Sequence, residues 1–321
     1  MQTKAKLLLF IIGMSFCIAG CGSSEGSGTI ESTEKSSIVV TANAPECFEL
    51  IREIPYMVRD GQLYQYIENN EWLPVEREKP IVQLVSSEYL CGVYDDGTVF
   101  YDRDLTMDGY MPNGSAYVFF MANKLLELNR DEPIQCISEY LGAGCVVLSK
   151  NGELFYPNKD KGEYVSCLME EQPISVSGAY ILTDKGNVFY WDEDTDYTNG
   201  STPVCVYGGE DIVEIDGTAG SGYAVGLTKQ GKVVSWISRS EKTLAVETWD
   251  DVVSIESGHH YAVGLTQDGR VLFAANNKEL EEKMNNVLAE WKDVVEITVW
   301  GTKVCGITAR GECIVQCTTE L

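Results

Sequence analysis

The stretch Asp251–Ala274 reads DVVSIESGHHYAVGLTQDGRVLFA, and it decides the fold. It contains three short apolar runs, separated first by a Gly-bearing bend and then by an Asp-Gly pair. Asp-Gly between two apolar runs is typical of a tight hairpin turn, because both residues tolerate positive φ angles. The stretch therefore predicts a three-stranded antiparallel meander with a two-residue turn between its last two strands.

This unit recurs seven times along the chain when its turn glycine is taken as the origin. The residue four places before each glycine and the residue two places after it are apolar or cysteine in every copy, so both are expected to face a core. The seven glycines are Gly61, Gly97, Gly152, Gly186, Gly231, Gly269 and Gly311. Six copies carry a further apolar run upstream, at 81–84, 134–137, 174–176, 212–215, 252–255 and 294–297; the first copy is degenerate, and 50–54 is assigned to it. Units of about 40 residues with this pattern predict an all-β, seven-bladed β-propeller over residues 38–321.

Closure of the ring is the next expectation. After Gly311 the chain provides one more strand, so the last blade lacks its outer strand. The run Ile38-Val39-Val40-Thr41 precedes the first unit and has no other evident partner. We expect this N-terminal strand to pair with the last blade, because an open edge is a liability in a propeller.

The units resemble the regulator-of-chromosome-condensation repeat, a family of seven-bladed propellers. The best matching segments are GSGYAVGLTKQGKVVSW at 220–236 and SGHHYAVGLTQDGRVLF at 257–273. Members often have His eight residues before the turn glycine, where this chain has Tyr89, Tyr223 and Tyr261. No functional residue is therefore carried over, and neither is the nucleotide-exchange activity of the founding member. Secreted bacterial members that bind other proteins are the nearer analogy, and it extends to the fold alone.

Two stretches depart from the repeat. Residues 278–291 place apolar side chains at helical spacing and predict a short amphipathic helix. Residues 102–131 contain Asp-Gly and Asn-Gly pairs on either side of an apolar run, so we expect an extra hairpin or a longer outer strand.

Within the repeats, a second glycine recurs five residues before the turn glycine, at Gly92, Gly226, Gly264 and Gly306. A side chain at these positions is expected to collide with a neighbouring sheet.

The N-terminus predicts export and a lipid anchor. Lys4 and Lys6 precede an apolar run of about a dozen residues, which is typical of a signal peptide over 1–20 and too short to span a membrane. Ile-Ala-Gly-Cys at 18–21 resembles the lipobox of bacterial lipoproteins, which implies a diacylglycerol thioether, with fatty acids such as palmitate, at Cys21. The alternative is an ordinary signal peptide with a chance cysteine. Residues 21–37 are rich in Gly, Ser and Glu and predict a flexible tether. The expected location is the extracytoplasmic face of the cell membrane.

The charge of the chain disfavours one class of partner. Lys4 and Lys6 are the only charged residues among the first 20, so the chain from Cys21 onward carries 22 basic and 49 acidic residues. Such a surface repels phosphate backbones and anionic headgroups. We therefore expect no nucleic-acid partner, and contact with the membrane only through the lipid.

The loops between first and second strands are the candidate binding face. In a propeller they cluster at one end near the axis, and here they carry Tyr, Trp and His, which are common interface anchors. The candidates are His259, His260, Trp300, Tyr89, Tyr223 and Tyr261. The alternative for the three tyrosines is that they only pack between blades, as amphipathic rings do.

Catalytic and metal-binding motifs are weak. The two histidines of the chain are adjacent, no hydrolase or P-loop signature occurs, and the sequence predicts neither a catalytic residue nor a cofactor. Asp192, Asp194 and Asp196 alternate as in a calcium loop, but Tyr197 and Pro203 occupy the places of the expected Gly and Glu, so a solvated acidic loop is favoured. Nine cysteines follow Cys21, and we expect mostly free, buried thiols.

These observations favour a non-enzymatic module that recognises a protein or a glycan. Two alternatives stay open: a scaffold in an envelope assembly, and an extracytoplasmic hydrolase that uses loop carboxylates.

Overall fold

Seven antiparallel sheets contain all the strands of the described residues. The structure, a computed structural model, describes residues 45–51, 54–67, 71–85, 90–101, 115–139, 145–158, 161–191, 203–209, 211–218, 223–237 and 243–319. The sheets follow one another along the chain, and each is built from consecutive strands. The prediction of an all-β chain is therefore confirmed, with two helices added between strands.

Three sheets have four strands. Sheet 1 contains β1 (Cys47–Ile51), β2 (Ile54–Arg59), β3 (Gln62–Ile67) and β4 (Glu71–Val75). Sheet 3 contains β8 (Ile134–Glu139), β9 (Cys145–Ser149), β10 (Leu154–Asn158) and β11 (Glu163–Cys167). Sheet 4 contains β12 (Pro173–Ser177), β13 (Tyr180–Thr183), β14 (Val188–Tyr190) and β15 (Val204–Tyr207).

Four sheets have three strands among the described residues. Sheet 2 contains β5 (Ile81–Val85), β6 (Cys91–Tyr94) and β7 (Val99–Tyr101). Sheet 5 contains β16 (Ile212–Gly217), β17 (Tyr223–Thr228) and β18 (Val233–Ile237). Sheet 6 contains β19 (Val252–Ser257), β20 (Tyr261–Thr266) and β21 (Val271–Ala275), and sheet 7 contains β22 (Val294–Trp300), β23 (Lys303–Thr308) and β24 (Cys313–Cys317).

The first strands of neighbouring sheets lie side by side, and we call β1, β5, β8, β12, β16, β19 and β22 the leading strands. Each leading strand contacts the next one, and β22 contacts β1. Hydrogen bonds join corresponding positions, such as Ser254 Oγ to Glu296 Oε1 at 3.3 Å and Thr298 Oγ1 to Glu49 Oε2 at 3.4 Å. The other contacts of this kind are Leu84 N to Cys47 Sγ, Gln83 with the backbone of Ile137, Gly178 N to Ser138 Oγ, Ser177 Oγ to Asp216 Oδ1, and Ser257 N to Asp216 Oδ2. The leading strands therefore run in the same direction, and equivalent loops lie at the same end.

The two apolar columns of the repeat form the core between the sheets. The residues four places before the turn glycines are buried in all seven copies, from Met57 to Ile307. Those two places after are buried in six copies, and Cys313 in the seventh is half-buried. In sheets 2 to 7 the two columns pair directly, for example Leu265 with Val271. The predicted inward direction of both columns is therefore confirmed, with Cys313 as the less buried member.

The hairpin turns correct the expected two-residue geometry. A two-residue turn occurs in sheet 1, where Arg59 pairs with Gln62 and both Asp60 and Gly61 have positive φ. In the other six sheets three residues separate the hydrogen-bonded pair, as in Thr266 N to Arg270 O, and only the glycine has positive φ. The residue before that glycine therefore needs no special tolerance, which explains why Lys185, Gln230 and Arg310 are found there.

Two helices are described, and each follows a three-stranded sheet along the chain. The helix α2 (Lys278–Leu288) packs on β21 and buries Met284 and Leu288, so the helix predicted over 278–291 is confirmed. The helix α1 (Ser115–Leu128) lies where the sequence analysis expected a hairpin or a long strand, so that prediction is wrong. Its buried residues Ala122 and Leu125 are three apart, a helical spacing that the emphasis on turn-forming pairs overlooked.

The glycine column lies against aromatic rings. A Cβ atom on Gly264 would stand 2.8 Å from the Trp249 ring, and one on Gly306 would stand 2.8 Å from the Trp291 ring. Both indoles come from the segment just before the leading strand of the same sheet. A side chain at these two positions would collide, as predicted, but the obstacle is an indole ring that precedes the same sheet, so the predicted collision with a neighbouring sheet is wrong there.

The first unit begins earlier than expected: its leading strand is β1 at Cys47–Ile51, followed closely by β2. The signal peptide, Cys21, the tether and the strand expected at 38–41 lie outside the described residues. Within the described part of the chain, neither helix has the length and hydrophobicity needed to cross a bilayer.

Candidate binding face

Three described loops connect a first strand to a second strand at the same end of the sheets. They are Gly178–Ala179 in sheet 4, Gly258–His260 in sheet 6 and Gly301–Thr302 in sheet 7. The hairpin turns that contain the seven turn glycines of the repeat lie at the opposite end, because every pair of neighbouring strands is antiparallel. We call the end with these three loops the loop face.

His259 and His260 are exposed on the loop face and lie against each other. Their ring centroids are 5.0 Å apart, and the edge of Tyr223 meets the His260 ring at 5.5 Å with the planes at 83°. The backbone N–H of Asn276 donates to the carbonyl of His260 at 3.3 Å, and the Asn276 side chain donates to the Tyr223 hydroxyl. The structure therefore brings together three of the predicted residues. It adds Asn276, which no pattern in the sequence distinguished.

Two hydrogen bonds hold the base of this loop. Gly258 N donates to Tyr261 O at 2.8 Å, and Thr218 Oγ1 from the neighbouring sheet donates to Gly258 O at 3.4 Å. A loop fixed at both ends presents the two imidazoles in a defined orientation, which lowers the entropic cost of binding.

Tyr261 packs between sheets rather than on the surface. Its side chain is 4% exposed, stacks on Phe273 at 5.1 Å and donates from its hydroxyl to Gly301 O at 3.1 Å. Burial raises the pKa of this phenol well above its ordinary value, and the nearby Glu256 carboxylate adds to the effect. The hydroxyl therefore stays protonated and keeps the loops of sheets 6 and 7 together, as in the packing alternative.

Tyr223 is also largely buried, at 9% exposure, and its ring makes a T-shaped contact with the ring of His260. Trp300 ends β22 and is half-buried against the apolar cluster that Phe48 and Leu50 form with the last sheet. Tyr223 and Trp300 therefore pack beneath the loop face and add little to its exposed surface.

Several predicted residues lie outside the described part of the chain. They are Cys21, Tyr89, Asp192, Asp194 and Asp196. Among the described residues, no group of three or more His, Cys, Asp or Glu side chains is arranged to hold a metal ion.

The nine described cysteines form no disulfide with one another. Cys47, Cys91, Cys136 and Cys305 are buried, whereas four others are half-buried and Cys205 is exposed. The expectation of mostly buried thiols is therefore wrong for five positions. Four of these thiols, at Cys167, Cys205, Cys313 and Cys317, lie on the outermost described strands, where one side of the strand has no neighbouring strand in the sheet.

Sequence reasoning missed a groove of about 440 Å³ at the opposite end of sheets 3 and 4. Residues 167–173 and the turn residues Asp184 and Lys185 line it, and Leu168 is 84% exposed there. Glu171 accepts hydrogen bonds from Thr183 and Asn187, and the Thr183 contact is the main cause of its lowered pKa. This carboxylate is thus engaged in holding the hairpin of sheet 4.

The loop face can recognise a ligand, and its chemistry suits binding. Two exposed imidazoles offer ring faces for stacking and nitrogen atoms for hydrogen bonds, which suit a side chain or a sugar ring.

Comparison with known proteins identifies similar solved structures only. No protein-family model and no curated protein sequence matches the chain. The ectodomain of the Arabidopsis thaliana receptor kinase ACR4, described as a CRINKLY WD40 domain, is 12% identical with a TM-score of 0.49, covering 84% of this chain and 93% of that one. Prp20p from Saccharomyces cerevisiae is 15% identical with a TM-score of 0.42, covering 82% and 71%.

PorZ, a bacterial surface component of the type-IX secretion system of Porphyromonas gingivalis, is 10% identical with a TM-score of 0.48. The match covers 86% of this chain, which spans only 38% of the PorZ chain. At these identities and TM-scores the similarities do not bear on function.

Proposed function

We propose that the seven sheets are the blades of a β-propeller closed by the N-terminal strand 38–41. The support is the order of contacts between leading strands, which returns from β22 to β1. Chain lengths agree with this closure. Five residues join β4 to β5, five join β11 to β12, and four join β15 to β16. A strand ending at Thr41 would leave five residues before β1, the same length of connection from an outer strand of sheet 7 to the leading strand of sheet 1.

The propeller acts as a non-enzymatic binding or scaffold module, and it recognises a protein or a glycan through the loop face. One observation carries this proposal: His259 and His260 are exposed and in contact with each other, and His260 also contacts Tyr223, on a loop that neighbouring elements hold at both ends. A few well-positioned side chains, often aromatic, carry most of the energy of an interface, and two adjacent imidazoles on a supported loop are suited to that role. The acidic surface of the chain favours a basic partner when that partner is a protein.

A lipid at Cys21 holds the propeller at the extracytoplasmic face of the membrane, and residues 22–37 act as the tether. The support is the signal-like N-terminus followed by a Gly/Ser-rich segment. Labelled palmitate is expected to enter the protein in growing bacteria and to be lost in Cys21→Ser. Equal labelling of both would disprove the anchor without affecting the binding proposal.

Binding is tested with a glycan array and with capture from an envelope extract, using the full chain. The double variant His259→Ala/His260→Ala is expected to weaken binding of the captured ligand about tenfold or more, because it removes both exposed rings. The matched control is Lys229→Ala/Gln230→Ala, which changes two exposed residues of a hairpin turn at the opposite end of sheet 5. If the control variant loses binding of the ligand and the histidine variant retains it, the loop face is excluded as the binding site.

A further inference from the structure

Two cysteines meet at the C-terminal edge of the last sheet. Cys305 lies on β23 and Cys313 on β24, and their sulfur atoms are 3.2 Å apart. Cys305 pairs in register with Val315, so Cys313 is its diagonal neighbour on the same face of the sheet. A disulfide bond is about 2.05 Å long, so the sulfurs would need to approach by roughly 1.2 Å.

The two thiols have different surroundings. Cys305 is fully buried in an apolar cluster with Phe48, Leu50 and Met57 of sheet 1, whereas Cys313 is half-buried at its margin. Burial raises the pKa of the Cys305 thiol, and the neighbouring Cys313 sulfur raises it further. Cys313 is therefore the thiol that a reagent from solution reaches first. Cys305 reacts second, with the sulfur of Cys313.

A shared metal ion is a poorer explanation of this proximity. Two thiolates on one zinc ion, each about 2.3 Å from the metal, stand about 3.8 Å apart and need two further ligands. The described residues contain no third metal-ligating side chain in a suitable group. The spacing and the absence of such a group in this part of the chain both favour a sulfur–sulfur bond.

We propose that Cys305 and Cys313 form a reversible disulfide by exchange with a disulfide-bearing oxidant, such as a small-molecule disulfide or an oxidised dithiol protein. The Cys313 thiolate attacks the oxidant disulfide and releases one thiol, which leaves a mixed disulfide at Cys313. The Cys305 thiol then loses its proton, attacks Cys313 Sγ and releases the second thiol. Two protein thiols are oxidised and one external disulfide is reduced to two thiols.

The bond would fix the last strand of the chain. It would close a loop of nine residues, 305–313, around the hairpin turn at Gly311. Diagonal neighbours are slightly wider apart than a disulfide prefers, so β24 must shift towards β23 when the bond forms.

The test uses oxidised glutathione on the full chain after reduction and removal of reductant. The products are unfolded, their remaining thiols are alkylated, and the labels are counted by mass. The labels on Cys305 and Cys313 are expected to be lost, with tryptic peptides 304–310 and 311–321 joined by a disulfide. The link must persist in Cys317→Ser, since Cys317 shares the second peptide, and it must disappear in Cys313→Ser. Retention of both thiols, or a link through Cys317, overturns the proposal.

The exposed Cys205 supplies an internal comparison, because its thiol is accessible and donates to the carbonyl of Tyr207 at 3.4 Å rather than meeting another sulfur in the way Cys313 does. It is expected to keep a glutathione adduct, whereas Cys313 passes from the adduct to the disulfide. A glutathione adduct that stays on Cys313 would contradict the role of Cys305. The oxidised chain is also expected to unfold a few degrees above Cys313→Ser treated in the same way. Equal unfolding temperatures would contradict a stabilising cross-link.

Discussion

At the scale of single residues, Gly264 marks how tightly the sheets pack. A methyl group there would stand 2.8 Å from the Trp249 ring, closer than carbon atoms approach in proteins. The indole is itself buried, so it has little room to move away. Because the glycine makes room for a neighbour, its recurrence in four copies reflects packing and not a turn.

Gly264→Ala is expected to lower the free energy of unfolding by about 1–3 kcal/mol, through overpacking against Trp249. The measurement is urea denaturation. Gly208→Ala is the matched control, because a Cβ there would have its nearest neighbours at 4.0 Å. That control is expected to change the stability by less than about 0.5 kcal/mol, or to raise it slightly. Equal losses in the two variants would argue against the packing explanation.

Tyr261 and His260 illustrate what residue type alone can indicate. Both were predicted for the binding face because aromatic residues in loops often contact ligands. The structure directs the Tyr261 hydroxyl to Gly301 O and leaves the neighbouring His260 exposed. The difference arises at the boundary of the strand: Tyr261 is the first residue of β20, whose residues are all buried, whereas His260 still belongs to the exposed loop.

At the scale of elements, α2 completes the edge of a three-stranded sheet with side chains. The Asn285 amide donates to Phe273 O at 2.9 Å, and its oxygen accepts from Phe273 N at 3.2 Å. A single side chain thus satisfies both backbone groups that a fourth strand would otherwise pair with. Asn129, after α1, similarly accepts from Val99 N at 2.7 Å at the edge of sheet 2.

Asn285→Ala is expected to lower the free energy of unfolding by about 1–2 kcal/mol, because both backbone groups of Phe273 lose their partner. Asn286→Ala is the matched control, with the same substitution one position along the same helix on an exposed residue. It is expected to be neutral or slightly stabilising, since alanine is the better helix former. Thermal denaturation of both variants decides. A neutral Asn285→Ala would mean that water replaces these hydrogen bonds without loss.

At the scale of the whole molecule, the proposed ring depends on contacts between distant parts of the chain. Trp72 in β4 donates to Gly311 O at 2.8 Å, and Thr298 donates to Glu49 across 249 residues of sequence. These contacts join the last sheet to the first. They make the stability of sheet 7 dependent on sheet 1.

Deletion of residues 38–44 is expected to lower the melting temperature by at least about 5 °C, because β24 then loses its proposed partner strand. Deletion of the tether residues 22–37 is the control and is expected to leave the melting temperature unchanged, since that segment cannot bury a core. Calorimetry on both deletions gives the comparison. An unchanged melting temperature after the first deletion would refute the closure and leave the seven sheets as they are.

The amino-acid sequence by itself determined the repeated unit, the inward columns and the positions of the turn glycines. These features are local, because alternation along a strand and positive φ at one residue depend on neighbours in the chain. The helix at 278–288 could be predicted for the same reason, because helical spacing of apolar residues is a local pattern. The α1 region also contains turn-forming pairs, which led to the wrong prediction of a hairpin or a strand.

Only the tertiary structure decided which loop residues face solvent and which polar side chains join the sheets. The pairing of Cys305 with Cys313, the support of the histidine loop by Asn276 and the contact of β22 with β1 all link residues from different strands or sheets. Their distances depend on the twist and spacing of whole sheets, and no pattern within one unit records these quantities.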